Sequence, residues 1–258
     1  MGKKKKRILL VDGDIVVYQQ ACLNQHDIQW RNGGETILLT SERAKRACDD
    51  YLAYIMKQLK GDWLYVCFGT SDNFRKKLFP KYKGNRKKQK KPQLRYELPQ
   101  YIEANYKTIK RMMLEGDDVL GIWHTGPFFE DLGETIVVTI DKDLMQIPGK
   151  FYNPKRSQQG IRDISEEEAD YAFYTQILTG DATDNYKGLP GVGPAKAKKI
   201  LAEVEGGDPT DVWKAIVEAY EAKGLPEEEA LLQARMARIL RWEDWDEDKQ
   251  EVRLWEPM

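Results

Sequence analysis

Apolar runs alternate along this chain with stretches that repeat every three to four residues. Arg7–Asp12, Trp63–Phe68 and Thr135–Ile140 are short apolar runs that predict buried strands, and Glu251–Trp255 predicts a short C-terminal strand. Helical patterns cover Gly13–Leu23, Ser41–Lys60, Tyr101–Leu114, a stretch from Asp117, Ser165–Leu178, Pro209–Lys223 and Pro226–Trp242. This order predicts an α/β fold in which helices flank a mostly parallel central sheet.

The composition narrows the class of protein. The chain has 258 residues, of which 41% are hydrophobic and 32% charged, so we expect one soluble domain over residues 1–258. No apolar run approaches the length of a membrane span, and the basic start of the chain has no small-residue cleavage site. The cysteines lack metal-ligand spacing, which indicates reduced thiols in a cytoplasmic protein: Cys22, Cys48 and Cys67.

The net charge of −1 conceals a strongly basic segment. Residues 75–95 contain eleven Lys or Arg and no Asp or Glu. Such a segment repels itself and needs solvent or an anionic partner. With three prolines and little apolar periodicity, residues 75–99 are predicted to be an insertion or arm outside the core.

Nine acidic residues form five short clusters, most of them where an apolar run stops or a helix starts. In an α/β fold the carboxyl ends of the strands meet at one edge of the sheet, so these carboxylates are expected to gather there and repel one another. Oxygen-only ligands indicate a hard divalent cation, magnesium or manganese. The candidate ligands are Asp12, Asp72, Glu115, Asp117, Asp118, Asp141, Asp143, Asp181 and Asp184.

The spacing within the clusters suits metal binding. Residues two apart in an extended segment share a face, as do residues three apart in a helix, which pairs Asp141 with Asp143 and Asp181 with Asp184. Two ions roughly 4 Å apart could activate water and stabilise the leaving oxygen of a phosphodiester without a protein base. Any single cluster could equally be a turn or a helix cap. Together, the five clusters favour metal-assisted hydrolysis.

The glycine- and proline-rich segment Gly188–Lys196 has the form of a helix–hairpin–helix turn, within an element predicted over residues 181–205. Its glycines allow close approach to a phosphate, and the helix that follows offers free N–H groups. The alternative is an ordinary connection between two helices. The predicted DNA-backbone contacts are Gly191, Val192, Gly193, Lys196, Lys198 and Lys199.

The basic arm mixes cations with Phe74, Phe79 and Tyr82, a combination that suits a single nucleic-acid strand. The alternative is a solvated loop or a localisation signal. Because the acid clusters favour a nucleic-acid substrate, the arm is predicted to guide a strand, with DNA contacts from Arg75, Lys76 and Lys81.

The ordered motifs LLVDGD, FRKxxxPxYKGNR, LEGDDV, TIDKD and GDATDNYKGLPGVGPAKA resemble those of the 5′-nuclease superfamily. This superfamily comprises flap endonucleases, the 5′-exonuclease domains of bacterial DNA polymerases, and phage 5′ exonucleases. The likeness covers nearly the whole chain, and the C-terminal stretch is most similar to the exonucleases of short-tailed phages. It implies a twisted central sheet and a basic arch, at residues 75–99, over the active site. The sequence pattern itself predicts that residues 206–258 form C-terminal helices and a strand.

The resemblance also implies roles for single residues. Acids matching Asp12, Glu115 and Asp118 would hold a first ion, and acids matching Asp143, Asp181 and Asp184 a second, with Asp117 and Asp141 close by. Lys83 and Arg86 match arch residues that contact the scissile phosphate, Tyr82 lies beside them, and the hairpin turn would hold potassium.

One position departs from the family pattern. Relatives place an aspartate at or near the end of the second strand, whereas this chain continues from Phe68 with Gly69-Thr70-Ser71-Asp72. Either Asp72 reaches the first ion through a shifted loop, or Thr70 occupies the place without serving as a ligand.

These features predict a magnesium-dependent 5′→3′ exonuclease with a two-metal-ion mechanism. The expected substrates are DNA duplexes with a 5′ end, nick or flap, and RNA/DNA hybrids. A monomer in the cytoplasm (of the host cell, if the source is a phage) is expected, with replication proteins as further candidate partners. Two alternatives stay open: a metal-dependent ribonuclease of a related fold, and a non-catalytic DNA-junction binding protein.

Overall fold

The computed structural model describes residues 5–29, 35–88, 91–204 and 207–257. The strands are β1 Lys6–Asp12, β2 Gln25–Gln29, β3 Glu35–Leu39, β4 Trp63–Phe68, β5 Thr108–Lys110, β6 Gly133–Val138, β7 Gly149–Tyr152, β8 Ile161–Ile164, β9 Trp245–Asp246 and β10 Glu251–Val252. The α-helices are α1 Gly13–Leu23, α2 Ser41–Leu59, α3 Phe74–Leu78, α4 Glu97–Asn105, α5 Gly116–Thr125, α6 Glu166–Thr179, α7 Pro194–Ala202, α8 Pro209–Glu221 and α9 Glu227–Ala237.

Six strands form one sheet in the order β5-β4-β1-β6-β7-β8. Neighbouring strands are parallel except at one edge, where β7 and β8 are antiparallel. The central strand β1 pairs on both sides, so that Ile8 lies opposite Trp63 of β4 and Thr135 of β6. The predicted mostly parallel sheet is confirmed, and the three runs predicted to be strands are β1, β4 and β6.

The sheet separates two hydrophobic cores. Because side chains alternate across a strand, Ile8 and Leu10 of β1 pack in a core with α5, whereas Leu9 and Val11 pack in a second core with α1, α2 and α4. A third cluster is formed by α6 to α9, and Tyr82 of the basic segment is part of it. The C-terminal helices therefore have their own apolar core, and the basic segment packs against it.

Several predicted elements differ from the structure. The predicted helix Tyr101–Leu114 is wrong in its second half, because α4 ends at Asn105 and Thr108–Lys110 forms β5, which pairs with the end of β4. The last predicted helix ends at Ala237, and the C-terminal strand is limited to β10, which pairs with β9. The pattern did not predict the β2–β3 hairpin, the strand β7 or the edge strand β8.

The basic segment is only partly an arm. Leu94 and Leu98 are buried in the core of α1, α2 and α4, and Tyr82 and Arg75 are buried as well. The prediction that residues 75–99 lie outside the core is therefore wrong for these positions. In the part of the chain that the structure describes, no helix is both long and apolar enough to cross a membrane.

Candidate active site

A cavity of about 1470 Å³ opens where β1 and β6 end and α5 begins. Seven of the nine predicted acids line it: Asp12, Glu115, Asp117, Asp141, Asp143, Asp181 and Asp184. The predicted Lys76, Tyr82, Lys83 and Arg86 line it too. The cavity thus brings together acids that are up to 172 positions apart in the chain, from Asp12 to Asp184.

Asp12 is held at the end of β1 from two sides. One carboxylate oxygen accepts from the Ile15 N–H at 3.1 Å and so caps α1, and the other accepts from the Thr139 hydroxyl at 2.7 Å. The same hydroxyl oxygen accepts from the Asp141 N–H at 3.0 Å. Thr139 therefore ties the end of β1 to the loop after β6, which carries Asp141 and Asp143.

The two aspartates at the start of α5 face different environments. Asp117 lines the cavity, whereas Asp118 is fully buried and accepts from both terminal nitrogens of Arg75, at 2.7 and 2.8 Å. Arg75 is 3% exposed and also donates to the Met236 and Arg238 carbonyls. Asp118 as a metal ligand and Arg75 as a DNA contact are therefore corrected, because the two residues neutralise each other inside the protein.

Two loops bring the remaining acids to the cavity. The Asp143 N–H donates to Asp141 at 2.9 Å, and Gln176 of α6 donates to Asp143 at 3.3 Å. Asp181 and Asp184 follow α6 in a loop that closes where Gly180 and Gly188 meet. A β carbon on either glycine would lie 2.3 Å from the backbone nitrogen of the other, and both have positive φ, so larger side chains do not fit there.

Three side chains of the basic segment contact the acids. The Tyr82 hydroxyl lies 2.7 Å from Glu115 and 3.0 Å from Asp184. The Lys83 ammonium pairs with Glu115 and lies 3.5 Å from Asp184, and the Arg86 guanidinium pairs with Asp184. Lys83 has φ +54, a conformation that costs a residue with a β carbon about 1–2 kcal/mol, and its N–H donates to the Asp184 carbonyl at 2.8 Å.

The electrostatics of the cavity favour a bound cation. Burial, together with Asp14 and Asp141, raises the pKa of Asp12 to about 7. Burial, Asp141 and Asp181 raise the pKa of Asp143 to about 6, and desolvation with Asp12 and Asp141 raises the pKa of Asp117 well above its usual range. For Glu115 burial acts in the same direction, but Arg75 and Lys83 outweigh it and lower the pKa.

The donor set fits a hard divalent ion, since all of these ligands are oxygens and their negative charges crowd together. Among the described residues, however, no three Asp, Glu, His or Cys side chains already converge closely enough to hold an ion. Glu115 and Asp184 instead contact Lys83, Arg86 and Tyr82. Metal binding would therefore require these side chains to turn toward the cavity centre.

The structure places two groups of predicted residues outside the cavity. Asp72 is exposed and does not line it, although Thr70, Ser71 and Asn73 of the same loop do. Asp72 as a metal ligand is corrected on that ground. Lys81 is exposed too. The hairpin turn lies at the start of α7, where Gly191, Gly193, Lys196, Lys198 and Lys199 are exposed and Val192 packs against the C-terminal cluster.

Two residues of the site were missed by the sequence analysis. Gln176 of α6 links Asp143 to the Tyr186 hydroxyl, which it meets at 2.7 Å. Asp14 lines the cavity from the first turn of α1. The signal for Asp14 was present, because an acid in the first turn of a helix that follows a parallel strand lies near the carboxyl edge of the sheet.

Comparisons of the sequence find relatives over nearly its whole length. The model of a family described as "5'-3' exonuclease, N-terminal resolvase-like domain" matches residues 7–171. An exodeoxyribonuclease of Enterobacteria phage T3 is 29% identical over 99% of this chain and 95% of its own length. An exonuclease of Escherichia phage T7 is 28% identical, again over 99% of this chain and 95% of its own length. DNA polymerase I of Lactococcus lactis subsp. cremoris is 29% identical over 77% of this chain and 24% of the polymerase.

Comparisons of the structure find the same fold in solved proteins. A phage T5 5′-exonuclease with bound divalent metal ions (zinc) has a TM-score of 0.65 at 14% identity, covering 90% of this chain and 89% of that protein. A bacteriophage T5 flap endonuclease in a pseudo-enzyme–product complex with DNA and metal ions has a TM-score of 0.64 at 14% identity, covering 91% and 89%. At this identity the likeness shows the fold alone.

Proposed function

Because this chain belongs to the family of 5′–3′ exonucleases, we propose that it hydrolyses DNA phosphodiesters from 5′ ends with the help of bound divalent metal ions. A member of this family is a nuclease and therefore a hydrolase. The observation that carries the proposal is the cavity in which seven predicted acids meet Tyr82, Lys83 and Arg86.

The cavity suits a nucleic-acid strand better than a small molecule. Its volume of about 1470 Å³ exceeds the roughly 300–1,000 Å³ of ordinary ligand pockets. Three cations and an exposed aromatic side chain are among the residues that line it: Lys76, Lys91, Arg95 and Tyr171. Cations that neutralise phosphates next to an aromatic ring on which a base can stack are typical of sites for single strands.

The acids divide into two groups that would each hold one ion. Asp12, Glu115 and Asp117 would hold the first, and Asp143, Asp181 and Asp184 the second, with Asp141 between the groups. In this assignment Asp117 takes the role that the motif suggested for Asp118. Bound there, two ions would supply an activated water and stabilise the leaving oxygen. Magnesium is the ion we propose, since oxygen-only sites suit it.

The chain's own cations would hold the scissile phosphate. The ammonium of Lys83 and the guanidinium of Arg86 face the cavity, and both can donate to a phosphate oxygen as well as to the carboxylates that they contact here. Tyr82 is buried, and its hydroxyl contacts both Glu115 and Asp184. Its proposed role is to position these acids.

The hairpin turn would hold the duplex part of the substrate. Its glycines and the lysines of α7 are exposed, and Pro194 at the start of α7 also lines the cavity. Lys196 donates to the Gly191 carbonyl at 2.8 Å and closes the turn, so the phosphate contacts are assigned mainly to Lys198, Lys199 and the backbone. We also propose that backbone carbonyls of this turn bind potassium. The proposed substrates include flapped DNA duplexes and RNA/DNA hybrids. The protein is proposed to act as a monomer together with replication proteins.

The proposal is tested by digestion of 5′-labelled blunt, nicked and flapped duplexes, and of a matched hybrid with an RNA 5′ strand. With magnesium we expect short 5′ products from the DNA substrates, and with EDTA none. Asp143→Asn is the matched control and should leave the substrates intact in magnesium. Digestion that persists in EDTA, or that starts from 3′ ends, would contradict the proposal, and digestion of RNA strands alone would favour a ribonuclease.

A further inference from the structure

Asp14 is an acidic side chain in the cavity that neither the motifs nor their spacing assigned. It lies in the first turn of α1, two residues beyond Asp12, and it is exposed toward the cavity. One of its carboxylate oxygens accepts from the Gly69 N–H at 3.2 Å. Its carboxylate therefore lies beside the end of β4, although it belongs to α1.

Two glycines leave the space that this carboxylate fills. A β carbon on Gly116 would lie 2.7 Å from an Asp14 oxygen, and a β carbon on Gly69 would lie 2.5 Å from the Gly116 nitrogen. A side chain at position 69 would thus collide with the start of α5. For the same reason, no acid can enter this corner of the cavity from position 69, where β4 ends.

The rest of the loop after β4 offers no acid to the cavity either. Thr70 lines the cavity, but its hydroxyl donates to the Asp72 carbonyl at 2.6 Å. Asp72 itself is exposed and does not line the cavity. Where the cavity borders the loop after β4, the negative charge is therefore that of Asp14.

Among the described residues, Asp14 lacks the ion pairs that Glu115, Asp118 and Asp184 form. Glu115 and Asp184 are paired with Lys83, and Asp118 with Arg75. Within residues 5–29, 35–88, 91–204 and 207–257, no Lys or Arg lies within ion-pair distance of Asp14. Glu115 repels the Asp14 carboxylate, and Lys83 and Lys110 act on it only from beyond ion-pair distance. A carboxylate without a direct cationic partner favours binding of a cation from solution.

We infer that Asp14 supplies an additional carboxylate to the ion held by Asp12, Glu115 and Asp117, directly or through a bound water. It thereby provides the charge that the loop after β4 does not. This inference rests on the proposed function, since it assumes that the cavity holds divalent ions.

The test is a calorimetric titration of the whole protein with Mn²⁺, without DNA, for the wild type and Asp14→Asn. The asparagine keeps the shape of the side chain and an oxygen that can accept from the Gly69 N–H. Thermal melting in EDTA checks that the variant protein is folded. We expect Asp14→Asn to weaken Mn²⁺ binding by about tenfold or more. It should also raise the magnesium concentration for half-maximal cleavage.

Two variants control for the loss of one negative charge. Asp72→Asn removes an acid from the loop after β4, outside the cavity, and Glu168→Gln removes an acid from the cavity wall that already pairs with Arg162. Both should bind Mn²⁺ like the wild type. If Asp14→Asn also binds like the wild type, the role of Asp14 is overturned while the nuclease proposal stands. A wild-type protein that neither binds Mn²⁺ nor cleaves DNA would overturn both.

Discussion

At the scale of single residues, the neighbours Asp117 and Asp118 show how one position along a helix decides the role of an acid. Asp118 is buried against Arg75, and one of its oxygens also accepts from the Leu240 N–H at 3.2 Å. Asp117 is half-buried and faces the other acids of the cavity. The first is part of the internal packing, and the second is available to a metal ion.

This contrast predicts opposite outcomes for two equal substitutions. Asp117→Asn should abolish cleavage in magnesium and leave the free energy of unfolding nearly unchanged or higher, because a repulsive charge is lost. Asp118→Asn should lower the free energy of unfolding by about 3–5 kcal/mol, because it leaves the buried Arg75 without its main partner. Urea denaturation and single-turnover cleavage separate the two. Equal stability of both variants would contradict the assignment.

Lys83 provides a second prediction at this scale. Lys83→Ala should slow single-turnover cleavage by roughly 10²–10³-fold, the usual cost of one lost donor to a charge that develops in the reaction. Binding of a 5′-flapped duplex should change only a few-fold. Lys76→Ala is the control, because Lys76 lines the same cavity but bonds to the Ser71 carbonyl. A loss of binding as large as the loss of rate would make Lys83 an affinity contact instead.

The sequence predicts which residue types form the site better than it predicts which way they point. Seven of the nine predicted acids line the cavity, because the ends of parallel strands meet at one edge whatever the details. The choice between Asp117 and Asp118 depends on a distant partner, Arg75, that no local pattern reveals. Asp14 was missed because it was treated as part of a helix start, although it reaches the end of a neighbouring strand.

At the scale of elements, a C-terminal segment supports the walls of the cavity. Residues 236–244, at the end of α9 and directly after it, provide carbonyls to Arg75 and an N–H to Asp118. In the same segment, the Arg241 guanidinium donates to the Gln146 carbonyl at 2.9 Å and to Asp170 at 2.6 Å. The segment thus contacts α3, the start of α5, the loop after β6 and α6. Its backbone and side chains hold together the elements that carry the acids.

The hairpin element predicts a change in salt dependence. Lys198→Ala/Lys199→Ala should weaken binding of a nicked duplex and lower the slope of log K against log salt by up to about 2, since each lost phosphate contact removes about 1. Cleavage at saturating DNA should stay close to that of the wild type. Arg43→Ala/Lys57→Ala on α2 removes the same charge from exposed positions of another helix. An unchanged slope for the α7 variant, or an equal change for the α2 variant, would argue against the hairpin as the duplex contact.

Elements with strong periodicity were predicted well, and those that depend on pairing were not. β1, α1, α2 and β4 agree with their predicted bounds to within a residue. Thr108–Lys110 was predicted to be helical, but it becomes a strand because the edge of β4 offers parallel hydrogen bonds to it. The polar strand β2 has no apolar alternation, so only its pairing with β3 defines it.

At the scale of the whole molecule, the site joins two parts of the chain. The family match ends at residue 171, whereas Asp181 and Asp184 lie beyond it, in the part that carries the C-terminal apolar cluster. Lys83 and Arg86 connect the two parts through Asp184. Formation of the site therefore depends on correct packing of the C-terminal helices against the sheet.

The crowded acids predict an unusual pH dependence of stability. The pKa of Asp12 rises from 3.8 to about 7 and that of Asp143 from 3.8 to about 6, first through burial and then through neighbouring carboxylates. For each residue, at pH values between its unfolded pKa and its folded pKa, the folded protein binds more protons than the unfolded chain. The free energy of unfolding therefore falls as the pH rises through this window. Without divalent ions, the free energy of unfolding should be lower at pH 8 than at pH 5 by on the order of 3 kcal/mol, since one pKa unit corresponds to about 1.4 kcal/mol.

Urea denaturation in EDTA at several pH values measures this effect. Asp12→Asn should flatten the profile, and magnesium should restore stability at pH 8, because it binds the folded protein. Stability that instead rises steadily from pH 5 to pH 8 in EDTA would show that the acids are not forced together.

The central claim, that one cavity gathers these acids into a divalent-metal site, is tested most directly by the anomalous diffraction of crystals soaked in Mn²⁺. We predict two anomalous peaks inside the cavity, one near Asp12, Glu115 and Asp117 and one near Asp143, Asp181 and Asp184. Saturating Mn²⁺ that leaves the cavity without a peak, or that binds only elsewhere on the protein, would contradict the account.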